Sequence, residues 1–435
     1  MIGGMMFLSS AVFLASIACV AGSVTIAGGA HQRPADGGPA NAANDTGGNA
    51  DIDVVPGDTS DTGGDDSAEP PPPDPEALFA LDRVHEVELT AGPRDLRALD
   101  ADPYTPIAAT ITFDGTLYEG VSMRIKGRLG SYRALSGKSG FKVDMNEFGG
   151  TGKVEGMEVL NFNNMVQDCA KIKERIAYGA FVTAGVPAPR VGYAHVTVNG
   201  EDYGVYTLVE AYDDEFLKSR FASPGGNLYD GDYYLWPNGN YTLIDFDSAS
   251  EQYFQLDEGT DVGMADIHAI TDALARVNGT AEFRSVVGAL VDLDQFADFW
   301  ATEAWIGQYD GYAYDKNNYR AYFDPADGKA RFMPWDPDWA FGEVPVTSPI
   351  GGLAWGCQRD APCHARFIAT IASLSNDVVA SGAQGDLDTS AALIEAYLRD
   401  DPRKETDMGT IHACQASVRS WIATRSDTLL AVPGI

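Results

Sequence analysis

The forty residues from Glu303 to Gly342 read EAWIGQYDGYAYDKNNYRAYFDPADGKARFMPWDPDWAFG. Aromatic residues alternate with others from Tyr319 to Phe323, a turn sequence runs from Asp324 to Gly328, and a second apolar run follows Arg331. Alternation on both sides of a Pro/Asp/Gly turn is typical of a β-hairpin. The prediction is therefore two antiparallel strands whose outer ends lie side by side.

Oxygen-bearing side chains lie at those outer ends of the predicted hairpin. Four precede the first strand and two follow the second: Asp310, Asp315, Asn317 and Asn318 before it, Asp336 and Asp338 after it. Carboxylate and amide oxygens are the ligands that Mg²⁺ or Ca²⁺ prefers. One interpretation is a divalent-metal site. The other is a set of turn residues that face water, because turns are rich in Asp and Asn.

Composition and charge limit the class of protein. A chain of 435 residues is long enough for a large core and suggests more than one domain. The formal net charge is −33, and residues 24–80, with 11 acidic side chains and one Arg, account for only about ten of these charges. The rest of the chain is therefore strongly acidic. This argues against binding to nucleic acid, whose phosphates require a basic surface.

The N-terminal segment has features of an export signal. Residues 1–23 carry no charged side chain and contain an apolar run, Met5 to Val20, that is short for a membrane span. Ser16-Ile17-Ala18-Cys19 is similar to a bacterial lipobox, in which Cys19 would be the lipidated first residue of the mature protein. We predict an exported protein at the bacterial cell surface or in the periplasm. A membrane tether through Cys19, plain secretion and an uncleaved anchor stay open as alternatives.

A linker is predicted between this signal and the body of the protein. Residues 24–80 consist mainly of Gly, Asp, Asn, Ala, Thr and Pro and end in a run of prolines. A segment with so few aliphatic residues cannot bury enough apolar surface to fold alone. The globular domain is accordingly predicted over residues 81–430.

Four cysteines remain when Cys19 is set aside, an even number in a compartment that permits disulfides. Cys357 and Cys363 lie six residues apart in the turn-like stretch GCQRDAPC, and we predict that they pair. Cys169 and Cys414 are then left over, and the sequence alone does not settle their pairing. No His has a Cys or His partner at the spacing of a zinc site.

Basic side chains concentrate near residue 130, in a chain that is otherwise acidic. Six fall within nineteen residues, on either side of a Gly/Ser turn between two predicted strands: Arg124, Lys126, Arg128, Arg133, Lys138 and Lys142. Such a cluster suits an anion, for example the phosphates of a nucleotide. The alternative is an exposed edge strand protected by Lys and Arg against pairing with other chains.

Two further elements lie between the basic turn and the hairpin of the quoted segment. Residues 168–183 show the periodicity of a helix that buries Ile172 and Ile176 and turns Glu174 outward or toward a partner. The Asn199-Gly200 pair predicts a second hairpin, and its second strand ends at Glu210.

The order of these motifs resembles the CotH kinase family, the atypical kinases that are similar to spore coat protein H. The resemblance spans about residues 84–426. Four segments carry it: Arg124-Ile125-Lys126-Gly127 leading to Ser139-Gly140-Phe141-Lys142-Val143, Val198-Asn199-Gly200 leading to Glu210, Asn318-Tyr319, and Pro334-Trp335-Asp336-Pro337-Asp338-Trp339-Ala340-Phe341-Gly342. Each motif is weak alone, and their common order is specific.

The resemblance implies an α+β, two-lobed fold like that of atypical protein kinases. Its N-terminal part would hold an antiparallel sheet and its C-terminal part would be mainly helical. It further implies ATP and Mg²⁺ or Mn²⁺ as cofactors, and transfer of the γ-phosphate to Ser or Thr of a surface or secreted protein. Such chemistry depends on positioning and on charge neutralisation.

The resemblance also implies roles for the basic strand and the elements after it. Lys142 would lie on the strand whose lysine meets the nucleotide phosphates, and Glu174 would pair with it, with Glu155 and Glu158 as alternatives. The remaining residues on the nucleotide side would be Arg124, Lys126, Arg128 and Glu210.

The hairpin of the quoted segment would supply the reacting groups. Asp310 would orient the acceptor hydroxyl as catalytic base, with Asp315 as the alternative. Asp336 would hold the metal ion, with Asp338 as its alternative, and the amide ligand would be one of two residues: Asn317 or Asn318.

Two other classes of function are compatible with these residues. Because ATP is scarce outside the cytoplasm, a non-catalytic binding or surface-structural protein on the same fold is the first alternative. The second is a hydrolase that uses Asp310 and Asp336 as a carboxylate pair. The hydrolase hypothesis leaves Lys142 and the basic strand unexplained.

Overall fold

The structure, a computed structural model, describes residues 73–435 apart from the side chains of residues 377–379 and 381. The predicted signal segment 1–23, with Cys19, and most of the predicted linker lie outside the described residues. The first described element is a short helix, α1 (Pro75–Leu78). Leu78 and Phe79 are buried against the first sheet, so the packed region begins before residue 81.

Seven strands of the N-terminal part form one closed barrel. Their bounds are β1 (His85–Thr90), β2 (Ile107–Phe113), β3 (Thr116–Lys126), β4 (Gly140–Asp144), β5 (Val159–Asn163), β6 (Val191–Val198) and β7 (Glu201–Glu210). The barrel order is β1-β2-β3-β4-β5-β7-β6, and every neighbouring pair is antiparallel except β1 with β6. The parallel β1–β6 pair closes into a barrel a sheet that was predicted to be antiparallel.

Alternation along the strands separates an apolar interior from a polar outer face. Met123, Phe141 and Leu208 are fully buried in the interior cluster. The intervening positions on β3 and β4 carry Arg124, Lys126 and Lys142, and Arg124 lies opposite Lys142 in the strand register. The basic residues of the sequence therefore lie on one outer face of the barrel, since successive side chains of a strand point to opposite faces.

Two helices pack within the N-terminal part: α2 (Pro93–Ala101) and α3 (Lys173–Thr183). Helix α3 begins five residues later than the predicted start at residue 168. The carboxylate of Asp168 accepts hydrogen bonds from the backbone N–H groups of Ala170 and Lys173, both at 2.7 Å. This turn replaces the first predicted helical turn and places Glu174 near the N-terminus of α3.

The C-terminal part combines helices with a second sheet, so it is less purely helical than predicted. Its helices are α4 (Asp214–Arg220), α5 (Ala265–Val277), α6 (Phe283–Val286), α7 (Leu293–Ile306), α8 (Tyr312–Asp315), α9 (Gly352–Arg359), α10 (Ala361–Leu374), α11 (Asp377–Asp400) and α12 (Met408–Leu430). Its strands are β8 (Asn227–Asp230), β9 (Tyr234–Leu235), β10 (Tyr241–Thr242), β11 (Gln255–Glu258), β12 (Tyr319–Asp324) and β13 (Lys329–Pro334). In the part of the chain that the structure describes, no helix is both long enough and apolar enough to cross a membrane.

The hairpin predicted from the quoted segment is confirmed. Strands β12 and β13 pair antiparallel from Tyr319 with Pro334 to Asp324 with Lys329, inside a four-stranded sheet of order β11-β8-β12-β13. All six residues of β12 are buried. Because Tyr319 and Pro334 are register partners, the segments that contain Asn318 and Trp335 lie side by side.

Two disulfides stabilise the body. The predicted Cys357–Cys363 bond is present, although it joins helices α9 and α10 rather than the two ends of a loop. Asp360 separates these helices, because its carboxylate accepts the Cys363 N–H at 3.1 Å and caps α10. The second disulfide joins Cys169 to Cys414 across 245 residues, from the turn before α3 to helix α12.

Part of the basic turn between β3 and β4 is held by the connection between α11 and α12. Lys138 Nζ lies 2.6 Å from Asp401 Oδ2, and these side chains are only 4% and 0% exposed. Arg133 forms an ion pair with Glu405 at 2.5 Å. Burial lowers the pKa of Lys138 to about 8 in spite of the Asp401 charge. Lys138 therefore has a structural partner and lies away from the other basic side chains of its cluster.

The Lys138–Asp401 pair yields a stability prediction. Asp401→Asn leaves a buried ammonium without its counter-charge, so we expect the free energy of unfolding to fall by about 3 kcal/mol, the usual scale for a broken buried pair. Urea denaturation at neutral pH measures it. The matched control is Asp388→Asn in the exposed Arg419–Asp388 pair, where the change should stay within about 0.5 kcal/mol. Equal effects of the two variants would contradict a stabilising role for Asp401.

Candidate active site

Lys126, at the end of β3, is the basic residue of the outer face that reaches helix α3. Its ammonium donates a short hydrogen bond to Asn163 Oδ1 on β5. Asn163 Nδ2 in turn donates to Glu174 Oε1 at 2.6 Å, and Thr207 Oγ1 donates to Glu174 Oε2 at 2.6 Å. Lys126 is thus linked to the carboxylate of α3 through one intervening amide.

Burial shifts the titration of both charged members of this chain of contacts. It lowers the pKa of Lys126 to about 8, against the attraction of Asp336 and Glu174. It raises the pKa of Glu174 to about 7, and the negative charge of Asp336 acts in the same direction. The charge of Asp336 contributes to both pKa shifts. Asp336, which follows β13, therefore lies close enough to the barrel face to interact electrostatically with Lys126 and Glu174.

Asp336 occupies a constrained turn directly after β13. Its backbone is left-handed, with φ 41° and ψ 57°, and its N–H donates to Tyr178 Oη at 3.0 Å. Burial raises the pKa of Asp336, the charge of Lys126 lowers it, and Asp310 raises it again. Among residues 73–435 no side chain or backbone group donates a hydrogen bond to the Asp336 carboxylate. A half-buried carboxylate without donors is a favourable ligand for a cation.

Asp310 lies in the turn between α7 and α8 and is held by the amides before β12. Asn317 Nδ2 donates to Asp310 Oδ1 at 3.1 Å, and Asn318 Nδ2 donates to Asp310 Oδ2 at 2.8 Å. Asn317 Oδ1 accepts the backbone N–H of Tyr233 at 3.0 Å, whereas no described group donates to Asn318 Oδ1. Of the two amides, Asn318 therefore has the oxygen that is free to bind a ligand.

The two alternatives named for the acidic roles also lie in this region. Burial raises the pKa of Asp310 to about 6, and a shared hydrogen bond with Asp315 adds to that rise. Burial also raises the pKa of Asp338 well above its ordinary value, with Asp336 and Glu174 as the nearest like charges. Lys173 Nζ donates to the backbone oxygen of Asp338 at 3.1 Å. Asp310, Asp315, Asp336 and Asp338 thus form one group of carboxylates that influence one another's pKa.

Glu303 on α7 shapes the turn that carries Asp310. Its oxygens accept the backbone N–H groups of Tyr312 and Ala313 at 2.8 and 2.9 Å. The residue is 1% exposed, and burial raises its pKa to about 8. A Cβ on Gly311 would lie 2.3 Å from Glu303 Oε1, so this turn requires glycine at position 311.

A cationic network under the hairpin completes the site. Arg320 on β12 is 7% exposed and lies 2.7 Å from Asp230 Oδ1 and 3.3 Å from Asp257 Oδ2. Its guanidinium lies 5.2 Å from the centre of the Trp335 ring, and Lys126 Nζ lies 5.3 Å from the same ring. The Trp335 ring, adjacent in sequence to Asp336, therefore lies close to two cations.

Lys142 lies opposite Arg124 on the outer face, two residues along β4 from Gly140, the register partner of Lys126. Burial lowers its pKa, with Arg124 as the main cationic neighbour and Asp257, Asp144 and Asp213 as the acidic ones. The predicted pairing of Lys142 with Glu174 does not occur in the described part of the chain, because Asn163 and Thr207 bind that carboxylate. Contact of Lys142 with a nucleotide stays a prediction.

The remaining alternatives for the Glu174 pairing lie elsewhere. Glu155 accepts the Asp74 N–H at 2.9 Å, and Glu158 lies 2.6 Å from Lys153 Nζ. Neither glutamate contacts Lys126 or Lys142 in the described structure.

Arg128 and Glu210 have separate surroundings. Arg128 donates to the backbone oxygen of Tyr233 at 3.2 Å, next to the Asn317 amide that binds the same residue, so it borders the site. Glu210 lies 2.5 Å from Arg190 and 3.0 Å from Arg220 and is 1% exposed. Glu210 belongs to a buried ion-pair network, and the structure does not bring it together with Asp336.

Asn163, Thr207, Glu303 and Arg320 are site residues that sequence reasoning missed. The signal for Asn163 was the polar alternation Asn161-Phe162-Asn163 in a short strand that had not been predicted. For Glu303 it was a carboxylate in the apolar last turn of a helix, because such residues are seldom buried without a partner. Thr207 and Arg320 gave no signal beyond their presence in strands.

The sequence model described as CotH kinase protein matches residues 123–429, well over half of this chain. The chain belongs to the CotH kinase family. The family predicted from the motifs is thereby confirmed, and the matched range contains the barrel face, helix α3, Asp310 and Asp336.

One curated relative of this CotH-family chain is the inner spore coat protein H of Bacillus subtilis (strain 168). The two are 25% identical over 191 residues, which cover 43% of this chain and 51% of the relative. The matched region thus spans about half of that protein's length. A solved Shewanella oneidensis MR-1 complex of HipA, HipB and operator DNA aligns with 71% of this chain and 66% of its own, at 12% identity and a TM-score of 0.27. That likeness is too low to support an argument.

The donor set of this CotH site fits a metal ion that is bound partly by other ligands. Within residues 73–435 no group of three or more His, Cys, Asp or Glu side chains is arranged to hold a metal ion. Mg²⁺ commonly binds through one or two carboxylates and completes its shell with phosphate oxygens and water. The donor-free carboxylate of Asp336 and the free amide oxygen of Asn318 match that requirement.

The raised pKa of Glu174 yields a prediction about stability and pH. Because this pKa is about 7 in the folded state against 4.5 for a free side chain, the folded state binds the extra proton, and this stability is lost as pH rises toward 7. Glu174→Gln cannot ionise, so its free energy of unfolding should fall less between pH 5 and 8, by on the order of 2 kcal/mol. Urea denaturation across this range measures the difference.

Glu282→Gln, at an exposed position, is the control for the Glu174 series and should follow the wild-type curve. Parallel curves for Glu174→Gln and wild type would show that Glu174 is ionised throughout, contrary to the assigned shift.

Proposed function

We propose that this CotH-family protein is an exported, ATP-dependent protein kinase that transfers the γ-phosphate to a Ser or Thr hydroxyl of a surface or secreted protein. One observation carries the proposal. Lys126 on the barrel face lies 5.3 Å from the ring of Trp335, the residue before Asp336, and both Lys126 and Asp310 shift the pKa of Asp336. A cation for phosphates, a carboxylate for a metal ion and a carboxylate for a hydroxyl are the groups that phosphoryl transfer requires.

Lys126 is the residue that we assign to the phosphates, with Arg124 and Lys142 beside it on the same face. Its ammonium is bound by a neutral amide, so its charge is available to an anion. Arg128 borders the same side through its contact with Tyr233. Electrostatic attraction at partly buried positions favours binding of a polyphosphate over binding of a neutral ligand.

Asp336 and Asn318 are the residues that would hold Mg²⁺ or Mn²⁺, with Asp338 next to them. A bound divalent ion would neutralise charge on the transferred phosphoryl group. Burial raises the pKa of Asp336 and the charge of Lys126 lowers it, which supports a cation site next to the phosphate site.

Asp310 is the proposed catalytic base, and Asp315 stays the alternative. The amides of Asn317 and Asn318 fix both oxygens of Asp310. In the transfer, the acceptor hydroxyl oxygen forms the new bond to the γ-phosphorus, the bond from that phosphorus to the ADP oxygen breaks, and Asp310 takes the hydroxyl proton. A carboxylate with a pKa of about 6 is mostly ionised at neutral pH and can accept it.

Export is supported by the two disulfides, which are typical of oxidising compartments. The curated relative is described as an inner spore coat protein. A non-catalytic surface protein on the same fold is the competing function, and nucleotide binding distinguishes the two.

The test of the proposed function is ligand-induced stabilisation followed by phosphate transfer. ATP with Mg²⁺ or Mn²⁺ should raise the Tm of the full chain, because a ligand that binds only the folded state stabilises it. Asp336→Asn should abolish incorporation of ³²P from γ-labelled ATP into the protein or an acceptor, and its Tm in the absence of ligand identifies whether the variant is folded. The control variant is Glu282→Gln, at an exposed position. Glu210→Gln is unsuitable because it would disrupt a buried ion-pair network. No stabilisation at millimolar ATP would favour the non-catalytic function.

The pKa of Asp310 yields a prediction for the pH profile. With a folded-state pKa of about 6, the fraction of ionised base rises through that pH. The kcat of phosphate transfer should therefore rise about tenfold per pH unit below pH 6 and level off above it. Asp310→Asn should lower kcat by at least about a hundredfold at pH 7.5, with a smaller change in KM for ATP. A full rate in Asp310→Asn with a lost rate in Asp315→Asn would assign the base to Asp315.

A further inference from the structure

A cross-strand row of the barrel, defined as Lys126, Gly140, Asn163 and Thr207, runs from β3 through β4 and β5 to β7. Lys126 pairs with Gly140, and Asn163 pairs with Thr207. Phe141 pairs with Phe162, which puts Gly140 beside Asn163. All four residues lie on the outer face, where Glu174 of α3 covers the end of the row.

We propose that Gly140, Asn163 and Thr207 are positioning residues that direct the ammonium of Lys126 toward bound phosphate. Gly140 leaves the path across β4 open, Asn163 holds the ammonium, and Thr207 fixes the carboxylate that orients Asn163. The inference rests on the proposed kinase function, because it assigns how that site prepares its phosphate-binding lysine.

Gly140 is the gap in the cross-strand row. Strand β4 lies between Lys126 and Asn163, so the lysine side chain must cross it to make its hydrogen bond. A Cβ at position 140 would lie 3.0 Å from Lys126 Cγ and 3.3 Å from the Phe162 carbonyl oxygen. The backbone of Gly140 is outside the left-handed region, so alanine would not strain it, but its Cβ would press on the Lys126 side chain and displace it.

The Asn163 side chain can accept a hydrogen bond from Lys126 and donate one to Glu174 at the same time. Its Oδ1 accepts from the ammonium of Lys126, and its Nδ2 donates to the carboxylate of Glu174. An aspartate could not donate to Glu174, and a leucine could bind neither group. The amide also separates the ammonium from Glu174, so Lys126 is oriented without being neutralised by a direct ion pair.

Thr207 binds the second oxygen of Glu174 and limits its rotation. The hydroxyl lies 2.6 Å from Glu174 Oε2 and is 1% exposed. With both oxygens bound, the carboxylate presents a fixed acceptor to Asn163 Nδ2. The hydroxyl is the relevant group, so Thr207→Ser should keep this role and Thr207→Val, with the same shape, should lose it.

The test measures the Kd and the KM for Mg·ATP, kcat and Tm for wild type and four variants. Asn163→Leu should raise Kd about tenfold, since a hydrogen bond to a charged group is worth about one such factor or more. Gly140→Ala should raise Kd about fivefold or more by displacing Lys126. Thr207→Val should weaken binding in the same direction, and Thr207→Ser should restore it.

Gly179→Ala on α3 is the matched control for Gly140→Ala, because a Cβ there meets no atom within 4 Å. It should bind Mg·ATP as wild type does. The Tm without ligand identifies variants that are merely unfolded, and the Thr207 pair keeps the test decisive if Asn163→Leu does not fold. If these residues position phosphate, the variants should keep a Tm near that of wild type while their KM for Mg·ATP rises.

The outcomes separate the two proposals. If wild type binds no Mg·ATP, the kinase function and this inference fail together. If wild type binds while folded Gly140→Ala, Asn163→Leu and Thr207→Val bind equally well, the kinase function stands and the positioning role is overturned. Loss of binding in Thr207→Ser to the same extent as in Thr207→Val would likewise contradict the role of the hydroxyl.

Discussion

The electrostatic interaction between Lys126 and Asp336 is the constraint on which the candidate site depends. One charge lies on the outside of a closed barrel, and the other follows a hairpin of a separate sheet. Water would weaken their attraction, but both groups are partly buried, where charges act over longer distances. An isolated buried charge is costly, so each group makes the burial of the other tolerable. The approach of the barrel to the second sheet is thereby tied to the chemistry of the site.

The acidic surplus around this contact has a physical reason. Glu174, Asp310, Asp336 and Asp338 all have pKa values raised by burial. Carboxylates that repel one another in a protein without ligands are stabilised when cations enter among them. In the protein without bound cations these carboxylates repel one another, and the binding of a cation would relieve that repulsion. Arg320, with its own partners Asp230 and Asp257, limits that repulsion from below the hairpin.

Local patterns made several features predictable. The hairpin of residues 319–334 follows from alternation and a turn sequence, and its register brings Asn318, which binds Asp310, beside Trp335, which precedes Asp336. The choice of lysine was not predictable. Lys126 and Lys142 lie on adjacent strands with the same outward direction, so strand periodicity treats them alike. What distinguishes them is the absence of a side chain at Gly140 and the position of α3, and both depend on contacts between elements far apart in sequence.

The predicted start of α3 failed for a related reason. Periodicity extended the helix back to residue 168, but the Asp168 carboxylate binds backbone N–H groups and competes with helical hydrogen bonding. The closing of the sheet into a barrel was likewise missed, because the parallel β1–β6 pair joins strands that no local pattern connects. Charge pairs such as Lys138 with Asp401 are 263 residues apart and belong to the same class of long-range contact.

The Cys169–Cys414 bond makes a covalent ring of the polypeptide between those residues. Glu174, Asp310 and Asp336 belong to the ring, and Lys126 lies in the segment N-terminal to it. A single protease cut anywhere within the ring leaves Glu174, Asp310 and Asp336 in one molecule, whereas a cut between Lys126 and Cys169 would release the segment that carries Lys126. The barrel strands β4 and β5 lie between Lys126 and Cys169, so after a cut in this stretch only the folded barrel keeps the two pieces together.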